Sequence, residues 1–192
     1  MVKRFYWSGG IKLIFYIILS IVIVQRLLEL VIAKRNEKNM RAKGAYEVGA
    51  SHYPLMILLH VSFFVSLLIE VSYFKLSPSP LFLVFLVMFL CVQGLRIWCL
   101  TSLGSFWNTK IIILPGANVV SKGPYKYLRH PNYLVVSIEI ALLPLMFQAY
   151  FTAICFTRLN ALRLCIRIPT EERALKKATN YEQYVQHKNT VN

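Results

Sequence analysis

The stretch GPYKYLRHPNY, residues 123–133, carries side chains that could bind a positively charged ligand. Pro124 and Pro131 fix their own backbone dihedrals and disfavour helical conformations at the residues before them. The stretch is therefore expected to be rigid and to hold its rings in a fixed arrangement. Because aromatic faces attract cations, that arrangement suits a cationic ligand. The side chains presented in this way are Tyr125, Tyr127, His130 and Tyr133.

The same stretch has a simpler interpretation, because an apolar segment follows it directly. Tyrosines beside cations, here Lys126 and Arg129, are typical of the interface between a membrane and water. An interfacial belt of this kind accounts poorly for His130, which is placed immediately before a proline. It also leaves unexplained why Tyr133 stands at the start of the apolar segment. The residues alone leave both interpretations open.

A second motif, RIPTEE at residues 167–172, places an arginine four residues before a carboxylate. Pro169 stands between Arg167 and Glu171, so one uninterrupted helix bearing both side chains is not expected. A carboxylate suits a cationic ligand, and a guanidinium suits a carboxylate or another anionic oxygen. Together the two motifs could bind a cationic cofactor next to a substrate with an anionic oxygen.

The composition indicates an integral membrane protein. Of the 192 residues 57% are hydrophobic and only 16% are charged, whereas about 25% are charged in soluble domains. The net charge of +14 comes from cations that flank apolar runs, which favours membrane topology and anionic lipid as its cause and excludes nucleic acid as the expected partner. The cysteines form no CxxC pair and are expected to be buried hydrophobes rather than a disulfide framework or a metal site; they are Cys91, Cys99, Cys155 and Cys165.

The apolar runs predict an all-α fold with about five transmembrane helices. About 20 apolar residues are needed for one crossing, and the run from Tyr133 to Ile166 is long enough to be a helical hairpin that turns near Gln148. A single crossing by this run is the alternative. After it, residues 169–192 are predicted to form a cytoplasmic amphipathic helix. The three earlier spans are expected at Ile11–Ala33, Tyr53–Phe74 and Ser79–Gly104.

The distribution of cations predicts the orientation of the chain. Five lysines and arginines lie between residues 34 and 43, which places this link on the cytoplasmic side. Residues 108–132 then return to the same side, and the hairpin brings RIPTEE there as well. We therefore expect an N-terminal three-span region, 1–104, and a catalytic region, 105–192, with its site on the cytoplasmic face.

Polar residues within the predicted spans are costly and need partners. Arg26 and Glu29 share a helical face, which favours a structural clamp to another helix over a ligand contact. Glu139 could equally be one half of a buried pair or part of a site. Four further residues are interpreted as packing or interfacial groups, and these are His60, Glu70, Gln93 and Arg96.

The run LGSFW…ILPGANVVSKGPYKYLRHPNY, followed by an apolar hairpin and RIPTEERAL, resembles the isoprenylcysteine carboxyl methyltransferase family. The resemblance covers residues 103–184. It implies a multi-span enzyme that uses S-adenosylmethionine without a Rossmann domain, and this chain contains no GxGxxG motif. It also implies a cofactor held near the cytosolic face and a lipophilic substrate that comes from the bilayer.

The resemblance further implies roles for particular residues. Arg167 would face the methyl-accepting group of the substrate. Direct displacement at the sulfonium methyl would need no obligatory strong base, since positioning and desolvation could supply most of the acceleration. The residues implied to bind the cofactor are Asn118, Val119 and Val120 through their main chain, and Tyr125, His130, Pro131, Tyr133 and Glu171.

The N-terminal half, with VQRLLELVIAKRN and GAYEVGASHYPLMILLH, resembles a bacterial branch of the family. That branch is associated with polyketide-derived lipids such as alkylpyrones, which implies a bacterial cell membrane and an enol or phenol hydroxyl or a carboxylate as acceptor. Two other functions are possible: an NADPH-dependent reductase related to the membrane sterol reductases, and a non-enzymatic membrane scaffold that binds no adenosyl cofactor.

Overall fold

The computed structural model describes residues 9–182, and most of them are helical. Short 3-10 turns lie at Ala50–His52, Gly104–Phe106 and Gly123–Lys126. The predicted all-α fold is confirmed, with one small antiparallel sheet added to it. The elements are α1 (Gly9–Arg41), β1 (Tyr46–Val48), α2 (Tyr53–Tyr73), α3 (Phe82–Leu103), β2 (Ile111–Ile113), α4 (Pro131–Leu145) and α5 (Tyr150–Ala178).

The first three long helices have the length and composition of membrane spans. The apolar helical segments are Lys12–Arg41, Tyr53–Tyr73 and Phe82–Phe106. Many of their large aliphatic side chains are exposed on the outside of the protein, as lipid contact requires. The chain is therefore an integral membrane protein. Helix α1 does not end at Ala33 as predicted but continues to Arg41, because the basic residues after Ala33 are good helix formers.

The predicted hairpin after Tyr133 is confirmed. Helix α4 ends at Leu145 and α5 begins at Tyr150, and between them Gln148 has a φ of 58°. The Gln148 side chain donates hydrogen bonds to the carbonyl oxygens of Ser77 (3.1 Å) and Pro78 (3.2 Å) and so fixes the turn against the α2–α3 link. How many crossings the hairpin makes stays a prediction.

Helix α5 corrects the prediction of a separate C-terminal helix. It runs from Tyr150 to Ala178 with Pro169 inside it, so Arg167 and Glu171 do lie on one helix. An internal proline costs about 3 kcal/mol or more. Here side-chain contacts on both sides of the proline offset that cost, and the Thr170 hydroxyl donates to the Ile166 carbonyl at 2.8 Å. The rest of the predicted helix, residues 183–192, lies outside the described residues.

Glu70, on α2, caps the start of α5. Its carboxylate accepts hydrogen bonds from the main-chain nitrogens of Phe151 (3.0 Å) and Thr152 (2.8 Å) and from the Thr152 hydroxyl (2.6 Å). A carboxylate at the positive end of a helix satisfies amide groups that have no partner within the helix. Glu70, which was expected to be a packing or interfacial group, therefore anchors α2 to the hairpin.

We expect Glu70→Ala to lower the free energy of unfolding by about 1–2 kcal/mol, the range for loss of a helix cap. Glu70→Gln keeps one acceptor oxygen and should cost less. Unfolding of the purified protein in mixed micelles measures both. Equal losses in the two variants would show that side-chain volume, and not the cap, is what matters.

The two-stranded sheet pairs β1 with β2 in antiparallel register, with Tyr46 opposite Ile113 and Val48 opposite Ile111. Ile111 and Ile113 also pack on Ala174 in the last turns of α5. The sheet thereby fixes the loop that follows α3 against the end of α5. The sequence KIIIL at residues 110–114 is itself typical of a short strand, and β2 lies within it, whereas no such pattern marks β1.

Side chains within the spans form a buried ion cluster that joins α1, α3 and α4. Arg96 lies 2.7 Å from Glu139 and 3.0 Å from Glu29. Arg26 lies 2.6 Å from Glu29 and 2.8 Å from Glu139. Gln93 donates to Glu139 at 2.8 Å. Arg26, Glu29 and Glu139 are thus paired with one another, as the clamp interpretation has it, and two positive charges are balanced by two negative ones.

Candidate active site

A cavity of about 440 Å³ lies among the helices and takes in both motifs. One end is polar and is built from the loop before residue 121, the start of α4 and the last turns of α5. The other end is mostly apolar and lies between α1 and α2, where it is lined by Ile23, Leu27, Leu30, Ile57, Val61 and Phe64. Arg26, Glu29 and Arg96 of the buried ion cluster also line the cavity. A polar chamber and a hydrocarbon channel therefore belong to one space.

The stretch from Gly123 to Tyr133 is held rigidly, as predicted. Gly123 has a φ of 59° and lies so close to α3 that a β-carbon would meet the Ser102 hydroxyl oxygen at 2.0 Å. Pro124 then opens a 3-10 turn, and Pro131 is the first residue of α4. The ring of His130 stacks on the ring of Tyr133, with 5.4 Å between the centroids.

Each of the two interpretations of the stretch from Gly123 to Tyr133 applies to part of its side chains. Tyr125, His130 and Tyr133 line the cavity, whereas Tyr127 is 67% exposed. The Lys126 ammonium lies 5.9 Å from the centre of the Tyr127 ring, on the outer surface. The cavity-facing rings can serve a ligand, and the outer pair has the character of an interfacial anchor.

Tyr133 connects the two motifs. Its hydroxyl donates a short hydrogen bond to the Glu171 carboxylate and accepts one from Nε of Arg167 at 2.9 Å. The Arg167 guanidinium also donates to the Thr109 carbonyl oxygen at 2.6 Å and lies 5.6 Å from the centre of the Tyr133 ring. The arginine and the glutamate are thereby both fixed by one phenol.

Glu172 adds a second carboxylate to the polar end. Its Oε1 lies 3.0 Å from Nε2 of His130 and accepts a hydrogen bond from the Tyr181 hydroxyl at 3.1 Å. Burial raises the pKa of Glu172, but the hydrogen bonds from His130 and Tyr181 and the nearby positive charge lower it further, so the net shift is downward. The group is therefore a carboxylate at neutral pH. Burial also raises the pKa of the Tyr125 phenol, which stays neutral.

The segment 118–120 lies against the end of α5 and lines the cavity. The Val119 amide donates to Oδ1 of Asn180 at 2.8 Å, and the Asn180 amide donates to Oδ1 of Asn118 at 3.1 Å. Gly116 adds a hydrogen bond from its amide to the Ala178 carbonyl at 2.8 Å. The loop is thus held in place by the helix that carries RIPTEE.

The structure brings nearly all the predicted site residues together. Pro131 is the exception, since it is fully buried behind the cavity as the first residue of α4. The residues that line the cavity are Asn118, Val119, Val120, Tyr125, His130, Tyr133, Arg167 and Glu171.

Polar lining residues that were not predicted as parts of the site include His60, Asn132, Arg163 and Tyr181. The signal for Arg163 was present, since it stands four residues before Arg167 and shares its face on a continuous helix. Among residues 9–182, no group of three or more His, Cys, Asp or Glu side chains is arranged to hold a metal ion.

Comparison with known proteins places this architecture in a family. Residues 82–177 match the sequence model of the isoprenylcysteine carboxyl methyltransferase (ICMT) family. The Bacillus subtilis (strain 168) protein named "Uncharacterized protein YpbQ" is 46% identical over 163 residues, which are 85% of this chain and 97% of that protein. An "Uncharacterized protein" of Haemophilus influenzae is 32% identical over 151 residues, 78% of this chain and 88% of its own. No solved structure matches the chain.

The matched range contains α3, the rigid stretch from Gly123 to Tyr133, nearly all of the hairpin, and the arginine and glutamate that meet at Tyr133. The resemblance seen in the motifs is thus confirmed by a match over half of the chain. This protein belongs to the isoprenylcysteine carboxyl methyltransferase family and is a membrane methyltransferase.

Proposed function

We propose that the protein transfers a methyl group from S-adenosylmethionine to an oxygen of a lipophilic acceptor, on the cytoplasmic face of a bacterial cell membrane. The observation that carries the proposal is that one cavity joins the Glu171 carboxylate and two stacked rings to an apolar channel between α1 and α2. A polar cationic cofactor and an oily acceptor can meet only in a space with both properties.

The residues at the polar end fit S-adenosylmethionine. Glu171 lines the cavity and suits its ammonium group, and the faces of His130 and Tyr133 suit a sulfonium. Oδ1 of Asn132 is buried at the cavity wall and accepts no hydrogen bond from the described residues, so a ligand donor could use it. The volume of about 440 Å³ is within the usual range of about 300–1,000 Å³ for small-molecule sites.

The bound cofactor would supply a methyl group that is already activated for displacement, because it is carried by a sulfonium. The chain would hold Glu171 through Tyr133 and hold Tyr133 through Arg167. The Arg167 guanidinium would bind the acceptor oxygen. Apolar side chains of α1 and α2 would exclude water from the reacting atoms, so positioning and desolvation would supply the acceleration.

An opening toward the bilayer supports a lipid acceptor. Leu27 and Leu30 on α1 and Ile57 and Val61 on α2 line the cavity, yet between 43% and 56% of each side chain is exposed. Side chains that face both the cavity and the outside mark a lateral passage between the two helices. A hydrocarbon chain could enter there without crossing water.

The charge at the polar end supports the cytoplasmic orientation. Asn36 lies near the end of α1 and donates hydrogen bonds to the carbonyl oxygens of Gly104 (3.0 Å) and Trp107 (2.8 Å). These bonds hold the lysine- and arginine-rich end of α1 beside the segment that follows α3. Lys110 joins it through an ion pair with Glu37 at 3.1 Å. Clusters of cations beside spans favour the cytoplasmic side.

Titration of the detergent-purified protein with labelled S-adenosylmethionine and, separately, with NADPH tests the proposal. We expect saturable binding of S-adenosylmethionine and none of NADPH. Binding of NADPH alone would instead indicate a reductase, and binding of neither would indicate a scaffold. Transfer of labelled methyl into a bacterial lipid extract then tests the reaction itself.

Two variants separate the cofactor and acceptor roles. Glu171→Ala should weaken S-adenosylmethionine binding about tenfold or more, because the ammonium loses a charged partner. Arg167→Ala should weaken that affinity less than Glu171→Ala does, since it acts on Glu171 only through Tyr133. It should lower turnover about a hundredfold, the order expected for loss of a group that acts at the reacting oxygen. Glu182→Ala, at an exposed position, is the matched control. Unchanged kinetics in both site variants would refute the assignment.

A further inference from the structure

We propose that His60 and Arg163 form a subsite for a hydroxyl group of the acceptor, separate from the oxygen that receives the methyl group. The inference rests on the proposed function and deepens it, because it names a second polar group that the lipophilic acceptor carries. Both residues line the cavity, as does Arg167, to which the proposed function assigns the methylated oxygen.

His60 contributes a hydrogen-bond acceptor to the cavity wall. It lies on α2, and its Nδ1 atom is 2.8 Å from the Met56 carbonyl oxygen. A carbonyl oxygen can only accept a hydrogen bond, so Nδ1 carries the hydrogen. In the neutral imidazole the Nε2 atom then has a lone pair and no hydrogen. Among residues 9–182 this Nε2 atom has no hydrogen-bond partner.

Arg163 contributes a hydrogen-bond donor from α5. Its Nε atom is buried and has no hydrogen-bond partner within the described part of the chain. A guanidinium group has donors only, so it pairs with the lone pair of an oxygen. Because a polar group without a partner is costly away from water, a ligand oxygen that accepts from this guanidinium would stabilise the site.

Contacts between α2 and α5 show how the two helices run past each other. The ring centroids of Phe63 and Phe156 lie 5.5 Å apart, and the Met56 sulfur lies 3.6 Å from Nη1 of Arg167. The contact nearer the start of α2 is thus the one nearer the end of α5. The two helices are therefore antiparallel.

His60 and Arg163 lie between these two contacts, on opposite helices. Each stands four residues, about 6 Å along its helix, from the contact of Met56 with Arg167. The two side chains are close enough to interact electrostatically. They therefore share one section of the cavity, which lies one helical turn from Arg167 on the side away from Glu171.

The other charged groups near His60 are paired with one another. Arg26 and Arg96 also interact electrostatically with the ring, but each lies 3.0 Å or less from both Glu29 and Glu139. The groups that remain for a ligand in this section of the cavity are therefore the acceptor of His60 and the donor on α5.

A hydroxyl group matches this pair, because it donates one hydrogen bond and also accepts. Its hydrogen would go to Nε2 of His60, and its oxygen would accept from Arg163. The hydroxyl would then lie about 6 Å from the oxygen held at Arg167. Val61 and Phe64, which follow on α2, line the apolar channel and leave room for a hydrocarbon tail beyond the hydroxyl.

Binding of three fatty acids that differ only in hydroxylation tests the inference. The full-length protein in nanodiscs of phosphatidylcholine is titrated at about pH 8, above the ordinary pKa of imidazole. The labelled probes are palmitate, 5-hydroxypalmitate and 12-hydroxypalmitate, and the 5-hydroxyl is the one whose distance from the carboxylate fits the subsite. We expect 5-hydroxypalmitate to bind about tenfold more tightly than palmitate, the effect of one or two buried hydrogen bonds.

The third probe and the possible failures are equally specific. The 12-hydroxyl is too far from the carboxylate to reach the pair, so 12-hydroxypalmitate should bind no more tightly than palmitate. Equal affinities for 5-hydroxypalmitate and palmitate would overturn the proposal and indicate that the pair binds at most a water molecule. No binding of any of the three acids would overturn it as well.

Two variants assign the preference to the pair. His60→Phe removes the acceptor and Arg163→Met removes the donor, so in each the ratio of the two affinities should fall to about one. The ratio is measured within one variant, so a general loss of affinity does not affect it. His60→Gln retains an acceptor oxygen and should keep part of the preference, which provides a second readout if His60→Phe folds poorly.

Arg158→Met is the matched control, because Arg158 is an exposed arginine on the same helix as Arg163. It should keep the wild-type ratio. A wild-type ratio in Arg163→Met or in His60→Phe would contradict the assignment, and so would loss of the preference in the control.

The affinity for S-adenosylmethionine separates this inference from the proposed function. If the wild-type protein prefers 5-hydroxypalmitate as expected but does not bind S-adenosylmethionine, the proposed function fails and the hydroxyl subsite remains. If it binds S-adenosylmethionine but does not distinguish 5-hydroxypalmitate from palmitate, this inference fails alone.

Discussion

Glu139→Ala is expected to lower the free energy of unfolding by about 3–5 kcal/mol, the range for breaking a buried ion pair by removing one partner. Glu139 accepts hydrogen bonds from Arg26 (2.8 Å), Arg96 (2.7 and 2.9 Å) and Gln93 (2.8 Å). Without it, two buried guanidinium groups would share Glu29 alone. Equilibrium unfolding of the purified protein in mixed micelles measures the loss.

An exposed ion pair supplies the control for Glu139. Arg41, whose side chain is 44% exposed, pairs with Glu37 and Glu47, and Arg41→Ala should cost far less stability than Glu139→Ala because exposed ion pairs contribute little. The double variant Arg96→Ala/Glu139→Ala removes one charge of each sign and should lose less than the two single losses added together. Additive losses would show that the cluster does not act as a unit.

Gly123→Ala is expected to destabilise the protein by about 3 kcal/mol or more, since two separate costs act at this residue. The backbone has a φ of 59°, and the added methyl group would lie 2.0 Å from the Ser102 oxygen and 3.0 Å from the Trp98 ring nitrogen. The turn could relieve the overlap only by moving away from α3, which would also displace Tyr125. We therefore expect a lower unfolding temperature and a lower affinity for S-adenosylmethionine.

Gly116→Ala separates the backbone cost from the steric one. Gly116 has a similar φ of 72°, but nothing lies within 4 Å of the position of its β-carbon. Its substitution should lower the free energy of unfolding by only about 1 kcal/mol, which is the cost of a left-handed backbone conformation for alanine. Ser102→Gly should partly rescue Gly123→Ala. Equal losses at the two glycines would mean that contact with α3 is unimportant.

Much of the architecture could be predicted because its signals are local. Long apolar runs predict α2 and α3 to within a few residues, and the length of the run after Tyr133 predicts the hairpin. Pro124 and Pro131 predict that the stretch leading into α4 is rigid. These features depend on the length of a segment or on the backbone of neighbouring residues, and both can be read directly from the chain.

The features that sequence reasoning missed depend on contacts between distant segments. Pro169 disfavours a helix locally, but Arg167 and Glu171 are held from both sides through Tyr133, and that contact spans 38 residues. Strand β1 has three residues and exists because β2 pairs with it. The partners of Glu139 come from α1 and α3, at separations of 113 and 43 residues. No local pattern encodes these pairings.

Helix α5 runs unbroken through Pro169 and so fixes the spacing of the two groups assigned to acceptor and cofactor in the proposed function. Arg167 and Glu171 are four residues apart, which places them about 6 Å apart along the helix axis. That separation is set by the number of peptide units, and one inserted residue would rotate everything beyond it by about 100°. The apolar cavity walls on α1 and α2 lie on other helices and are free of that constraint. In the proposed reaction, the length of the acceptor's tail could therefore vary while the distance over which the methyl group moves stays the same.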